Sequence, residues 1–478
     1  MKRIYSLLIL LSFSFSLFAQ DLETGYFLGG NPYAFRLNPA FQSERNILSI
    51  ALGGHQVGVW SNLGVSTLMY PDANGSLNTF LSDRVSASDF MGKIKKESVL
   101  GVDARVNLLT IGFWSGEQFY TIDFNVRSLN AASVPRDVFA FLKDDQSQGN
   151  YDFSGMGFRA KEMVEAAFGW SRNYDNVFNV GFRVKALVGL AEAEMFADNM
   201  KVSMGADQWS VQAQSYLHAS SPLLKYSLTD DGYLDLESIS LNGGNFRPGG
   251  YGAAVDLGAS WNVLPCLTLS ASILDLGAIR WNREVQGVSP ETSYVLETSV
   301  PEGEDRDWEA ELNRAIEELS GVYRFKDASG KGAAFGMLPL QVLLGAEFRM
   351  PFYERLSLGA LYQGRNGHAF NRHSARLSVN WNPLDFLSLS TGTTLNRLGE
   401  SIGVALNLHP AGVNLLLGCD YLPFHTIALP SDLVKEWPPF LQRFAYIPRD
   451  QMKFNLYVGL NIAFGQSRLD HAKRFRSE

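Results

Sequence analysis

The chain has 478 residues and a formal charge of −8, from 41 Lys and Arg against 49 Asp and Glu; no basic surface for nucleic acid is implied, and that class of partner is set aside. Apolar residues make up 46% of it and aromatics 12%, yet beyond the N-terminus no apolar run approaches the ~20 residues of a helical span. Apolar content that is high but nowhere concentrated suits alternating strands.

Met1, Lys2 and Arg3 precede an almost unbroken apolar run from Ile4 to Phe18, and Leu17-Phe18-Ala19 offers a cleavage site. Residues 1–19 therefore read as a signal peptide, their apolar run being short for a membrane anchor. Residues 20–45 come next. Within them Gly25 to Phe41, GYFLGGNPYAFRLNPAF, is too apolar for a free tail, and its Gly and Asn residues suit tight turns. Lying just before a first strand, it is expected to fold into a lumen as a hatch, with Asn38, Pro39 and Ala40 as its candidate residues.

From residue 46 to 465 the dominant signal is period-2 alternation, the pattern of a membrane β-barrel. Hairpins are expected over Ala104 to Trp114 with Phe119 to Val126, around the Asn173 to Asn176 turn into Phe178 to Val188, and at turns near Pro265, Pro351, Pro383 and Pro410. A first strand near Ile47 to Trp60 and a last at Lys453 to Phe464 bring the count to fourteen, an even number that closes a ring. Further alternation over 200–217 would make it sixteen. Turns are short on one side and loops long on the other, about 61–103, 129–164, 191–250, 278–339 and 422–451.

Two helices are expected in those loops: an amphipathic one over Asp305 to Ser320 and a shorter one beginning at Pro135. The Leu429 to Ile447 loop carries Trp437, Phe440 and Phe444, candidates either for capturing a ligand or for packing over the barrel mouth. The closing strand, KFNLYVGLNIAF, puts Phe454, Leu456, Val458, Leu460, Ile462 and Phe464 toward lipid. Beyond it, residues 466–478 form a basic periplasmic tail.

Parity also assigns a charged interior. Arg127, Arg183, Lys185, Arg349 and Arg376 are the lumen-facing candidates, with Asp123, Asn125, Glu347, Arg355, Asn380, Asn396, Asn407 and Lys453 on the same parity. The basic excess suits anionic solutes, or equally a polar filling paired with acidic groups. Cys266 falls on lumen parity and Cys419 on lipid parity, so the two are expected to remain free thiols. The seven histidines show no metal-ligand spacing beyond the weak pair His368 and His373, and the glycines at Gly155 and Gly157 and at Gly330 and Gly332 flank no βαβ unit. No catalytic constellation, metal site or cofactor is expected.

A signal peptide, an Asn-Pro-Ala step before strand one and about fourteen strands together resemble the FadL-like superfamily of fatty-acid transporters, which includes PorV-type proteins. The runs VPRDVFAFL (Val134 to Leu142), AAFGWSRNYDNVFNVGFRVKALVGLAEAE (Ala166 to Glu194), ILDLGAIRW (Ile273 to Trp281) and LPLQVLLGAEFR (Leu338 to Arg349) resemble an uncharacterised outer-membrane family of Bacteroidota. The resemblance implies a barrel in the outer membrane of a Gram-negative bacterium, a movable hatch, a lateral opening, and passive passage of small hydrophobic or amphipathic molecules. Two other roles stay open: a PorV-like accessory that holds partner proteins through its outer loops, and a structural outer-membrane protein. Membrane lipid is the partner common to all three.

Overall fold

The computed structural model describes residues 22–466 apart from 72–76, 144–148, 206–207, 222–223, 242–246, 283–284, 290–291, 298–323, 328–332, 367–370, 397–398, 411, 423–425, 429–445 and 449–452. The expected signal peptide, the helix over 305–320, the loop rings Trp437, Phe440 and Phe444, His368, the Gly330–Gly332 pair and all but the first residue of the tail lie outside the described residues.

Fourteen antiparallel strands close on themselves among the described residues. They are β1 (Asn46–Ile50 and His55–Ser61), β2 (Glu97–Ser115), β3 (Gln118–Pro135), β4 (Gly157–Tyr174), β5 (Phe178–Met204), β6 (Gly250–Leu264), β7 (Leu267–Trp281), β8 (Leu340–Arg349), β9 (Leu356–Asn366), β10 (Arg372–Leu384), β11 (Leu387–Asn396), β12 (Gly399–Leu408), β13 (Val413–Leu422) and β14 (Lys453–Phe464). Each pairs with the next, and the ring is sealed where Asn46 meets Phe464 and Trp60 meets Lys453. Closure leaves no open sheet edge, as a lipid-embedded sheet requires.

Alternation sets the two faces. Leu344, Leu377, Leu395, Ile462 and Phe464 are exposed on the outside, and Trp261, Phe348, Trp381 and Phe386 add aromatic rings toward the short-turn end. Asn455, Tyr457 and Asn461 of the same β14 are buried inward, as its sequence pattern requires. Strand β1 is interrupted: six of its residues, 49–54, face only three of β14, 459–461, between the pairs Leu48 to Ile462 and His55 to Val458. The extra residues bulge, with Ala51 at φ +55° and Gly54 at φ +90°.

The strands run further than their alternation predicts, because the long ones continue past the membrane belt. β5 extends to Met204, and its outer half pairs with Gln208–Ser220, which in turn pairs with Val285–Val288 and Thr292–Glu297. The alternation at 200–217 is thus a hairpin outside the ring, and the ring stays at fourteen. A helix does start after Pro135, over Arg136–Lys143; its Phe139 packs with Val85, Phe90 and Ile94 in a small outer core.

Candidate functional site

Residues 22–43 occupy the lumen. The segment makes two 3-10 turns, Glu23–Gly25 and Ala34–Arg36, and every backbone–backbone bond it makes among the described residues is internal to it. Its attachment to the wall is therefore through side chains and close packing. Lumen-facing glycines provide the seats: a Cβ on Gly181 would stand 2.0 Å from the Pro39 carbonyl oxygen, and one on Gly258 would stand 2.1 Å from Asn38 Oδ1. Gly345 and Gly359 likewise make room for Tyr26 and Phe27, and Gly418 for Leu22.

Polar contacts pin it at several points. Arg36, buried and on no strand, spreads its fork between the bulge of β1 and the adjoining strands β2 and β3: Nη1 donates to the Gly53 carbonyl at 2.8 Å, and Nη2 donates to Thr110 Oγ1 and Asp123 Oδ1, each at 2.8 Å. Asp420 of β13 accepts from the Thr24 and Glu23 backbone N–H groups at 2.7 and 3.1 Å, and Arg376 donates to Thr24 Oγ1 while pairing with Asp420 at 3.2 Å. Asn38 Nδ2 donates to the carbonyls of Ala259 and Ala271 at 3.2 and 3.3 Å, and its Oδ1 accepts from the Ala40 N–H at 3.0 Å. At the short-turn end Asn407 and Asn414 donate to the carbonyls of Gly29 and Gly30. His409 in the adjoining turn is pushed below its ordinary value by burial and by Arg45.

Above Arg36 an ion-pair layer crosses the lumen. Asp123 also takes Arg183 at 2.6 Å; Arg183 reaches Asp256 at 3.4 Å; Lys185 joins Asp256 to Asp275 at 2.7 and 2.6 Å; and Arg127 joins Asp275 to Glu165, each at 2.7 Å. Four cations, Arg36, Arg127, Arg183 and Lys185, meet four carboxylates, Asp123, Glu165, Asp256 and Asp275. The basic residues seen by parity are thus largely paired with carboxylates, and the buried Arg105 of β2 also acts on Glu165. Toward the outer mouth, Arg365 of β9 pairs across the lumen with Asp103 of β2 at 2.7 Å.

The structure places Arg127, Arg183, Lys185 and Arg376 together with Asn38, Pro39 and Ala40 in the interior of the ring. Arg349 stands apart, half-buried at the short-turn end of β8, and Arg355, exposed in the turn before β9, pairs with Asp385 and is not a lumen group. Cys266 also lies in a turn and so has no lumen parity; it and Cys419 are free. Sequence reading missed Asp256, which sits on the inward parity of β6, and Asp275, which does not follow the parity of β7. A bulge between Val255 and Leu257 holds Asp275 at φ +60° and turns both Leu274 and Asp275 inward. Arg36 was missed because strand parity does not apply to it.

A model of a family of unknown function, DUF5723, matches residues 39–420. None of the curated proteins matches the sequence. Solved structures similar to the chain include the toluene transporter TbuX of Ralstonia pickettii (9% identity, 92% of this chain and 98% of that one, TM-score 0.42). A FadL homologue of Pseudomonas aeruginosa is similar at 10% identity over 94% and 99%, with TM-score 0.40. The toluene transporter TodX of Pseudomonas putida is similar at 10% over 91% and 93%, with TM-score 0.37.

Proposed function

We propose, for a chain that belongs to the family of unknown function DUF5723, that it is a passive outer-membrane channel for small hydrophobic or amphipathic molecules, closed in this conformation by residues 22–43 acting as a hatch. The observation that carries the reading is the mode of seating. A plug that shares no backbone ladder with the wall and rests in glycine seats under a few polar pins can leave while the barrel's own hydrogen bonds stay intact. The paired charges of the layer and the apolar side chains above it, Leu129, Met163, Leu187 and Ile279, suit a cargo without a net charge better than an ion.

A disulfide between residues 24 and 420 tests this, since Thr24 Oγ1 donates to Asp420 Oδ1 at 2.5 Å and neither position is a glycine seat. T24C/D420C proteoliposomes are expected to take up a small aromatic hydrocarbon at the rate of empty vesicles when oxidised and to regain uptake on reduction. Uptake that ignores the lock would remove the hatch role; uptake that never exceeds empty vesicles would remove transport. A second reading, a PorV-like interaction barrel, draws on the independently packed outer cores around Phe90 and Tyr151, and predicts a stoichiometric protein partner on cross-linking in intact cells.

A further inference from the structure

We infer that the outer end of the β6–β7 hairpin is a docking surface for a phosphorylated glycolipid of the outer leaflet, of the lipid A class, with Arg247 and Arg280 facing its two phosphates. The inference rests on the outer-membrane reading above and adds a lipid partner to it. Strand β7 has 15 residues and, at a tilt of ~40°, rises roughly 40 Å against an apolar band of about 25 Å. Arg280, one residue from the outer end of β7, therefore lies level with lipid headgroups. Its chain neighbours Ile279 and Trp281 are buried inward, so Arg280 is turned outward, and it is exposed. Its cross-strand neighbours are Tyr251 of β6 and Phe335 of the strand Ala334–Met337. These are 62% and 74% exposed, and Leu276 and Met337 below them are 49% and 60% exposed. Ala253 and Ala278 stand opposite one another in the row beneath, so the apolar surface dips under the guanidinium. The strand Ala334–Met337 adds a step, because it pairs with β7 while the ladder of β9 stops at Asn366 opposite Leu340.

Arg247 comes to the same end of the hairpin from the segment before β6. The Gly249 carbonyl accepts from the Asn282 N–H at 2.9 Å and the Pro248 carbonyl from Asn282 Nδ2 at 3.3 Å. These bonds tie the backbone beside Arg247 to the residue two beyond Arg280. Arg247 is exposed as well, and neither arginine has an ion pair or a side-chain hydrogen bond among the described residues. At the short-turn end, by contrast, the exposed Arg172 pairs with Glu117 and Arg355 with Asp385. A guanidinium takes a phosphate in a bidentate grip, so two of them without counter-ions, above a recessed apolar surface, complement a head with two phosphates on acyl chains. A phospholipid offers one phosphate, and a neutral lipid offers none.

The experiment is native mass spectrometry of the full barrel in detergent, titrated with bis-phosphorylated lipid A, monophosphoryl lipid A and phosphatidylglycerol. One charge-assisted contact is worth about tenfold in affinity, so the parent should hold one lipid A about tenfold more tightly than the monophosphoryl form, with phosphatidylglycerol weakest. R280Q and R247Q should each weaken lipid A about tenfold and erase the preference for the second phosphate, while R355Q, at the short-turn end, should leave binding within twofold. R247Q lies outside the strands and reads the same surface should R280Q fail to insert. Phosphatidylglycerol held as tightly as lipid A, no lipid held at all, an equal loss in R355Q, or a preference that survives both substitutions would each overturn the site. Location and passage are read separately. Recovery of the chain in a membrane fraction without lipid A would remove the outer-membrane reading, and a barrel that holds lipid A through these arginines but passes nothing into proteoliposomes would sink the channel reading and leave the docking surface standing.

Discussion

Arg36 joins residues 22–43 to both the β1 bulge and the ion-pair layer, so one side chain links three features inside the ring. Removing one partner of a buried ion pair costs about 3–5 kcal/mol when the remaining charge is stranded, and less where a second partner remains. Asp123 keeps Arg183 at 2.6 Å, so R36M is expected at or below the low end of that range, while the Gly53 carbonyl loses its donor. Urea unfolding of the outer-membrane-type barrel, read beside hatch accessibility to protease, should show a modest stability loss and a large gain in cleavage near residues 36–41. Unchanged cleavage would mean that Arg36 does not hold the segment. At this scale strand parity reveals Arg127, Arg183 and Lys185 because each lies on a regular strand. It cannot reveal Asp275, which a bulge turns inward, or Arg36, which obeys no strand period.

The elements divide between wall and seat. Alternation makes the wall legible down to the face of Lys453 and of residues 455–462 in β14, because lipid on one side and a polar lumen on the other enforce a strict period of two. The ends of the strands are not legible. β5 passes out of the membrane belt and goes on pairing with Gln208–Ser220, where no lipid boundary marks the change, so its outer half reads as a separate hairpin. Nor does alternation tell a glycine that relaxes a strand from one that seats the hatch. Gly181 is of the second kind, with the Pro39 carbonyl at 2.0 Å from its Cβ position. G181V should leave the barrel assembled, since a β-branched residue suits a strand, but should displace residues 38–40. Labelling of a cysteine placed at Ala40 should then rise several-fold; a site as shielded as in the parent would show that the seat has slack.

For the whole molecule, the central claim is that a fourteen-stranded ring holds an open passage that residues 22–43 close. Fold class follows from periodicity and closure, and belongs to any chain with this pattern. The site does not, because it depends on which side chains from distant parts of the chain meet inside the ring, as Thr24 meets Asp420 and Arg36 meets Asp123. The most direct measurement is single-channel conductance in planar bilayers of the intact chain and of a chain lacking residues 22–43. The intact barrel should be silent or flicker rarely, and the shortened one should show steady steps of uniform size. A shortened barrel that inserts and remains silent, or an intact one that conducts equally well, would contradict the account.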